Sequence, residues 1–189
     1  MFFRNWSKDL FTIPNLLSLF RLTLIPVYMT IYLEGRYLLA GTILTLSCLT
    51  DLLDGHIARR FHLVTELGKL LDPLADKLTQ LSLTLCLSLR YPVLGPVMFL
   101  LVCKEIFQLT AGLICLRRGK RIAGPLPAGK ICTAVLFISL TALVLLPELS
   151  PAVVNLLALA DLIALSFSFI GYVQAYFGGR RGRYLQDSE

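Results

Sequence analysis

PAVVNLLALADLIALSFSFIGYVQAYF, residues 151–177, carries a single charged residue, Asp161. It is long enough to cross a bilayer as a helix, which takes about 20 mainly apolar residues. Outward from it, five more segments of similar character occupy roughly 14–33, 37–60, 69–90, 94–116 and 128–147. The 189 residues are 56% hydrophobic and 16% charged, against about 25% charged in a soluble domain. A water-soluble single-core protein is excluded, and the length leaves no room for two sizeable domains. The expected fold is an all-α integral membrane protein with six transmembrane helices, one membrane domain spanning residues 1–189. Residues 1–13 mix Phe2, Phe3, Trp6, Leu10 and Phe11 with Arg4, Lys8 and Asp9, and lack the pattern of a cleavable signal. They read either as a short amphipathic interfacial helix, included in the expected fold, or as a disordered tail.

Loop charge sets the expected orientation. Arg4 and Lys8 precede the first span; Arg59, Arg60 and Lys69 join the second to the third. Arg117, Arg118, Lys120 and Arg121 join the fourth to the fifth, and Arg180, Arg181 and Arg183 follow the sixth. The other connections hold only Arg36 and Arg90 among cations. Cytoplasmic loops are enriched in Lys and Arg, so both termini are expected in the cytoplasm, with 178–189 a cytoplasmic tail of a cell-membrane protein. The net charge of +6 then needs no nucleic acid. Five cysteines, each inside an apolar run without a CxxC pair, read as small buried hydrophobes. The tyrosines mostly fall near span ends, as an aromatic belt would.

Four acids interrupt the apolar pattern. Asp51 and Asp54 are three apart near the cytoplasmic end of the second span, with Ala58 four further on; Gly68, Asp72 and Asp76 follow at intervals of four. Each set lies on one helical face, and the turn between them lets the two faces meet. Four carboxylates together repel unless cations neutralise them. Hard oxygens without nearby His or Cys call for magnesium, manganese or calcium, and two such ions suit displacement at phosphorus. Gly55 and Gly68 allow close approach, and Arg59 is placed for a phosphate or a base edge. The plainer alternative is that the aspartates pair with Arg59, Lys69 and Lys77 inside the bundle.

The run Asp51-Leu-Leu-Asp54-Gly55-His-Ile-Ala58-Arg59, eight residues, Gly68, three residues, Asp72, three residues, Asp76 resembles the signature of the CDP-alcohol phosphotransferase (class-I CDP-alcohol phosphatidyltransferase) family at all eight fixed positions. Pro14-Asn15-Leu-Leu-Ser18-Leu-Phe-Arg21, followed by Pro26, and Leu71-Asp72-Pro73-Leu-Ala75-Asp76-Lys77 resemble its phosphatidylglycerophosphate synthase branch. The resemblance implies transfer of a phosphatidyl group from CDP-diacylglycerol to an alcohol, releasing CMP at the cytoplasmic side. It implies that Asp51, Asp54, Asp72 and Asp76 ligate two divalent cations, Mg2+ or Mn2+. Asp76 would also be the general base, and Gly55, Ala58, Arg59 and Thr50 would contact the nucleotide. Members are commonly homodimers.

For the acceptor, the branch implies glycerol 3-phosphate, its phosphate received by basic residues around the fourth and fifth spans. Lys104, Arg118 and Lys130 are the candidates here. Where the branch commonly has Arg before Glu, this chain has Lys104-Glu105, which keeps the charge without the bidentate fork. The basic stretch Arg117–Arg121 also reads as topology and contact with membrane lipids. Two other readings compete: a cardiolipin synthase of the same family accepting phosphatidylglycerol, and, more distantly, a divalent-cation transporter. Arg21, Lys77 and Lys104 lie inside spans and need partners; Asp161 belongs to no motif and is expected to pair with a cation or face a cavity.

Overall fold

Prolines and glycines punctuate the chain where its apolar runs end, and helices fill the intervals. The computed structural model describes residues 13–47, 68–117, 126–146 and 148–177. Among these, helices α1 (Ile13–Leu33), α2 (Tyr37–Ser47), α3 (Gly68–Arg90), α4 (Gly95–Arg117), α5 (Pro127–Leu145) and α6 (Pro151–Phe177) follow in order, with a 3-10 turn at Pro92–Leu94 between α3 and α4. Helices α1, α4, α5 and α6 are long and apolar enough to cross a membrane. The all-α membrane fold is thus as expected, and five of the six expected spans match their helices to within two residues. Of the second, only 37–47 falls among the described residues; the N-terminal interfacial segment and the tail 178–189 lie outside them.

Helix ends follow local chemistry. Gly35, at φ +81°, stops α1. Its N–H donates to Tyr32 O at 3.0 Å and the Arg36 N–H donates to Ile31 O at 3.2 Å, the paired bonds of a Schellman motif closing orphan carbonyls. At the start of α6, Ser150 O accepts from the N–H groups of Val153 and Val154 at 3.0 and 3.1 Å, and Pro151 occupies the first helical position, where no N–H is required.

The burial pattern inverts that of a soluble protein. Phe99, Ile138 and Phe167 are about 70% exposed or more, while Asn15, Ser18, Arg21, Lys104, Glu105, Ser139, Asp161 and Ser168 are buried. Apolar side chains outward and polar ones inward is the arrangement lipid demands, and the chain is a multi-pass membrane protein.

Contacts divide the chain into two compact units, Met1–Cys86 with Val144–Pro147, and Leu87–Leu143 with Glu148–Glu189. In the first, α1 and α3 run parallel: Ser18 pairs with Asp72, Arg21 with Asp76, and the Tyr28 hydroxyl with Ser82, each some 54 or 55 positions on. Tyr28 and Tyr32 are buried here, serving the core of this unit instead of the aromatic belt expected of them. Gly41 admits Val144 and Leu145 so closely that a Cβ would sit 3.0 Å from both side chains.

In the second unit α5 and α6 run antiparallel. Gly129 lies against Tyr172, where a Cβ would come within 2.7 Å of the hydroxyl, and Ser139 meets Asp161 ten positions further along α5 and eleven back along α6. Phe107 of α4 packs edge-on to Phe169 of α6, centroids 5.3 Å apart. Asp161, fully buried, takes as its partner the Ser139 hydroxyl, 2.6 and 2.7 Å from its two oxygens. The partner is therefore a neutral hydroxyl on the facing helix, not the expected cation or cavity. Interhelical polar bonds in membranes contribute about 0.6 kcal/mol on average and up to about 1.7. Ser139→Ala should lower the melting temperature in detergent, and Ser139→Ala/Asp161→Leu should recover most of that loss, because removing both partners leaves no orphaned polar group. Equal melting of wild type and Ser139→Ala would show that the pair contributes nothing.

Candidate active site

Helix α3 begins at Gly68, and its first turns carry Asp72 and Asp76 four residues apart, so both carboxylates project from one face. Facing them on α1 are Ser18 and Arg21, three apart and buried. The Ser18 hydroxyl donates to Asp72 Oδ1 and the Arg21 guanidinium donates from Nη1 to Asp76 Oδ1. Two donors on one helix thus meet two acceptors on the next, turn for turn, because the helices are parallel and in register. Further along, the Tyr28 hydroxyl donates to Thr79 O at 3.2 Å, which extends the seam away from the carboxylates.

The Arg21 side chain is 6% exposed and that of Asp76 59% exposed; Asp72 is half-buried. Both donors bind carboxylate oxygens in the manner that suits the ionised form, which is also the form that binds cations. Oxygen donors at this spacing fit a hard divalent ion. They supply half of the expected ligand set: Asp51 and Asp54 lie outside the described residues, and among the described residues no group of three or more potential ligands forms. The nucleotide-contacting candidates Thr50, Gly55, Ala58 and Arg59 and the acceptor candidate Arg118 also lie outside them.

The remaining acceptor candidates are in the second unit. Lys130 is exposed in the first turn of α5. Lys104 is buried on α4, its Nζ donating to Glu105 Oε1 at 2.6 Å. Neighbours on a helix point well apart, so the contact relies on the length and flexibility of both side chains. Cys132, buried on α5, lies beside Ser168 of α6.

Two site residues, Ser18 and Arg21, were not assigned a site role from sequence. Their signal was present: an intramembrane cation and a hydroxyl three residues apart on one face of the first span. The missing element was knowledge of which helix that face meets.

A membrane-embedded helical protein with paired aspartates at the start of one helix, fixed by donors from another, belongs to the class of intramembrane sites built from carboxylates. Comparison with known proteins narrows the class. The family model for CDP-alcohol phosphatidyltransferase matches residues 11–173. The CDP-diacylglycerol–glycerol-3-phosphate 3-phosphatidyltransferase of Aquifex aeolicus is 34% identical over 165 residues, covering 85% of this chain and 93% of that protein. The Bacillus subtilis protein of the same name is 34% identical over 151 residues, 72% of this chain and 78% of that one. A probable cardiolipin synthase (CMP-forming) of Drosophila melanogaster is 38% identical over 114 residues, but these are 59% of this chain and 35% of that protein. The chain belongs to the CDP-alcohol phosphatidyltransferase family, and is an enzyme of that family.

The Lys104–Glu105 pair yields a stability prediction. Removing one partner of a buried pair costs about 3–5 kcal/mol when the other is left charged. Lys104→Met should therefore melt well below wild type, and Lys104→Met/Glu105→Gln should melt above the single variant. A double variant no more stable than Lys104→Met would mean that Glu105 does not depend on Lys104.

Proposed function

We propose that the protein transfers the phosphatidyl group of CDP-diacylglycerol to sn-glycerol 3-phosphate, forming phosphatidylglycerophosphate and CMP in phospholipid biosynthesis. The observation that carries this reading is likeness along nearly the full length of a relative bearing that name, 93% of the Aquifex aeolicus protein. The anchored aspartates at the start of α3 support it with suitable chemistry.

In the proposed reaction the acceptor hydroxyl oxygen attacks the phosphorus that bears the diacylglycerol, and the bond from that phosphorus to the CMP oxygen breaks. Asp76 accepts the hydroxyl proton. Asp51, Asp54, Asp72 and Asp76 are the proposed ligands of two divalent cations, Mg2+ or Mn2+, which when bound would offset charge on the departing CMP. Thr50, Gly55, Ala58 and Arg59 hold the cytidine nucleotide, with the acyl chains left in the bilayer. Lys130, Arg118 and Lys104 receive the acceptor phosphate; exposed Lys130 needs no rearrangement, whereas Lys104 must share its charge with Glu105. The site and both termini are assigned to the cytoplasmic face of the cell membrane on the loop-charge bias, and the protein is assigned as a homodimer on its resemblance to the family. The whole chain is treated as one membrane domain.

Cardiolipin synthesis from phosphatidylglycerol is the second reading, favoured by likeness to the Drosophila melanogaster protein over a shorter stretch. Release of CMP from CDP-diacylglycerol by the purified protein separates the two, with glycerol 3-phosphate and phosphatidylglycerol offered in turn alongside Mg2+ or Mn2+. The expected outcome is release with glycerol 3-phosphate that ceases on chelation by EDTA. Release with phosphatidylglycerol alone would establish the second reading. Absence of release with every acceptor, together with Mn2+ uptake into proteoliposomes, would favour a transporter.

Residue roles are tested by substitution. Asp76→Asn should abolish turnover while CDP-diacylglycerol still binds, and Asp51→Asn should weaken metal-dependent binding itself. Lys130→Ala should raise KM for glycerol 3-phosphate more than KM for CDP-diacylglycerol; an unchanged acceptor KM would remove Lys130 from the pocket.

A further inference from the structure

Buried tyrosines are hydrogen-bonded as a rule, because a hydroxyl taken out of water forfeits a bond unless the protein supplies another. Tyr28, in the core of the first unit, pairs with Ser82. Tyr172 of α6 is also buried, at 8% exposed, yet among the described residues its hydroxyl has no hydrogen-bond partner. That hydroxyl points into the first turn of α5: it stands 2.7 Å from where a Cβ on Gly129 would be. Any side chain at 129 would displace it, so the glycine is what lets the hydroxyl reach the turn.

The turn it reaches offers donors and positive charge. Leu126 O takes the N–H groups of both Gly129 and Lys130, at 2.9 and 3.2 Å. Pro127 has no N–H to give, which leaves the Ala128 N–H as the open backbone donor of this turn among the described residues. The Gly129 carbonyl accepts the Thr133 hydroxyl at 3.0 Å. α5 is 19 residues long, and the N-terminus of such a helix carries partial positive charge. Lys130, exposed in the same turn, adds a full one. A cation is repelled from such a place, whereas an anion with several acceptor oxygens fits it. A phosphate group has that chemistry, and the phenolic O–H, the ammonium and the backbone N–H are its complement.

We propose that the Tyr172 hydroxyl, together with Lys130 and the N-terminal turn of α5, binds the phosphate group of the acceptor. This rests on the reading of Lys130 as an acceptor residue given above, and adds to it a donor of a different kind. Lys130 brings charge on a long, flexible stem. Tyr172, packed against Gly129, brings a neutral donor at a fixed place, so it sets where the phosphate sits.

The test uses the purified full-length protein in an uncharged detergent, as wild type, Tyr172→Phe and Gly129→Ala. Equilibrium dialysis measures binding of radiolabelled glycerol 3-phosphate, with unlabelled glycerol as competitor. Melting temperature and CMP release with each acceptor are measured separately. Tyr172→Phe keeps the ring and should melt as wild type does, yet bind glycerol 3-phosphate about tenfold more weakly, the scale of one lost hydrogen bond to an anion. Its KM for glycerol 3-phosphate should rise by a similar factor while KM for CDP-diacylglycerol stays as it was. Gly129→Ala keeps the hydroxyl but occupies its place; it should weaken binding too, and carries the test if Tyr172→Phe does not purify. Glycerol, which lacks the phosphate, should not compete. A Tyr172-dependent KM for phosphatidylglycerol, with no use of glycerol 3-phosphate, would keep the phosphate site and give it a lipid source. Unchanged acceptor binding and KM in both variants, competition by glycerol, or a rise confined to KM for CDP-diacylglycerol overturns the proposal. Tyr172-dependent binding of glycerol 3-phosphate without CMP release would sink the functional reading alone, since dialysis requires no turnover.

Discussion

A charge or hydroxyl carried into hydrocarbon has no water to bond with, and on insertion scales each Asp, Lys or Arg at a span centre costs about 2.5–3.5 kcal/mol. Among the described residues, the buried polar pairs answer that constraint. Ser18 and Arg21 meet Asp72 and Asp76, Lys104 meets Glu105, and Ser139 meets Asp161. Helix faces are set by where these groups must go, and the lipid-facing surfaces by where they cannot be. Phe99 and Phe167 face outward for the same reason that Asp161 does not.

Such pairs stabilise by avoiding a penalty more than by adding attraction, so they also fix register. A one-residue slip of α1 against α3 would separate Ser18 from Asp72 and Arg21 from Asp76 together. A slip of α5 against α6 would part Ser139 from Asp161 and bring new bulk against Gly129, which has no room for a Cβ beside Tyr172. The seam that holds the first unit together is also the seam that carries the catalytic carboxylates of the proposed reaction. Structure and chemistry of the proposed reaction therefore share residues at the α1–α3 contact, whereas Ser139–Asp161 serves the interior of the second unit.

Much of the architecture was legible because it is local. Span limits follow from the length of apolar runs, and Gly35 and Pro151 mark helix ends through backbone geometry alone. The aspartate spacing reported a shared face on α3 because helical periodicity alone places residues four apart together. Tyr28 and Tyr32 were misread as belt residues because position along a span does not reveal which face of the helix is turned inward. Asp161, expected to pair with a cation or face a cavity, meets Ser139, whose hydroxyl is indistinguishable in sequence from others that return to their own helix backbone, as those of Thr110 and Thr133 do.

The sequence by itself determined the membrane class, the placement of the helices and the family, since bilayer thickness, helical repeat and motif spacing act along the chain. Tertiary structure alone decided which partner each buried charge takes. Arg21 meets Asp76 and Ser18 donates to Asp72. That choice depends on the direction and register of two helices separated by some fifty residues, and no local pattern encodes it.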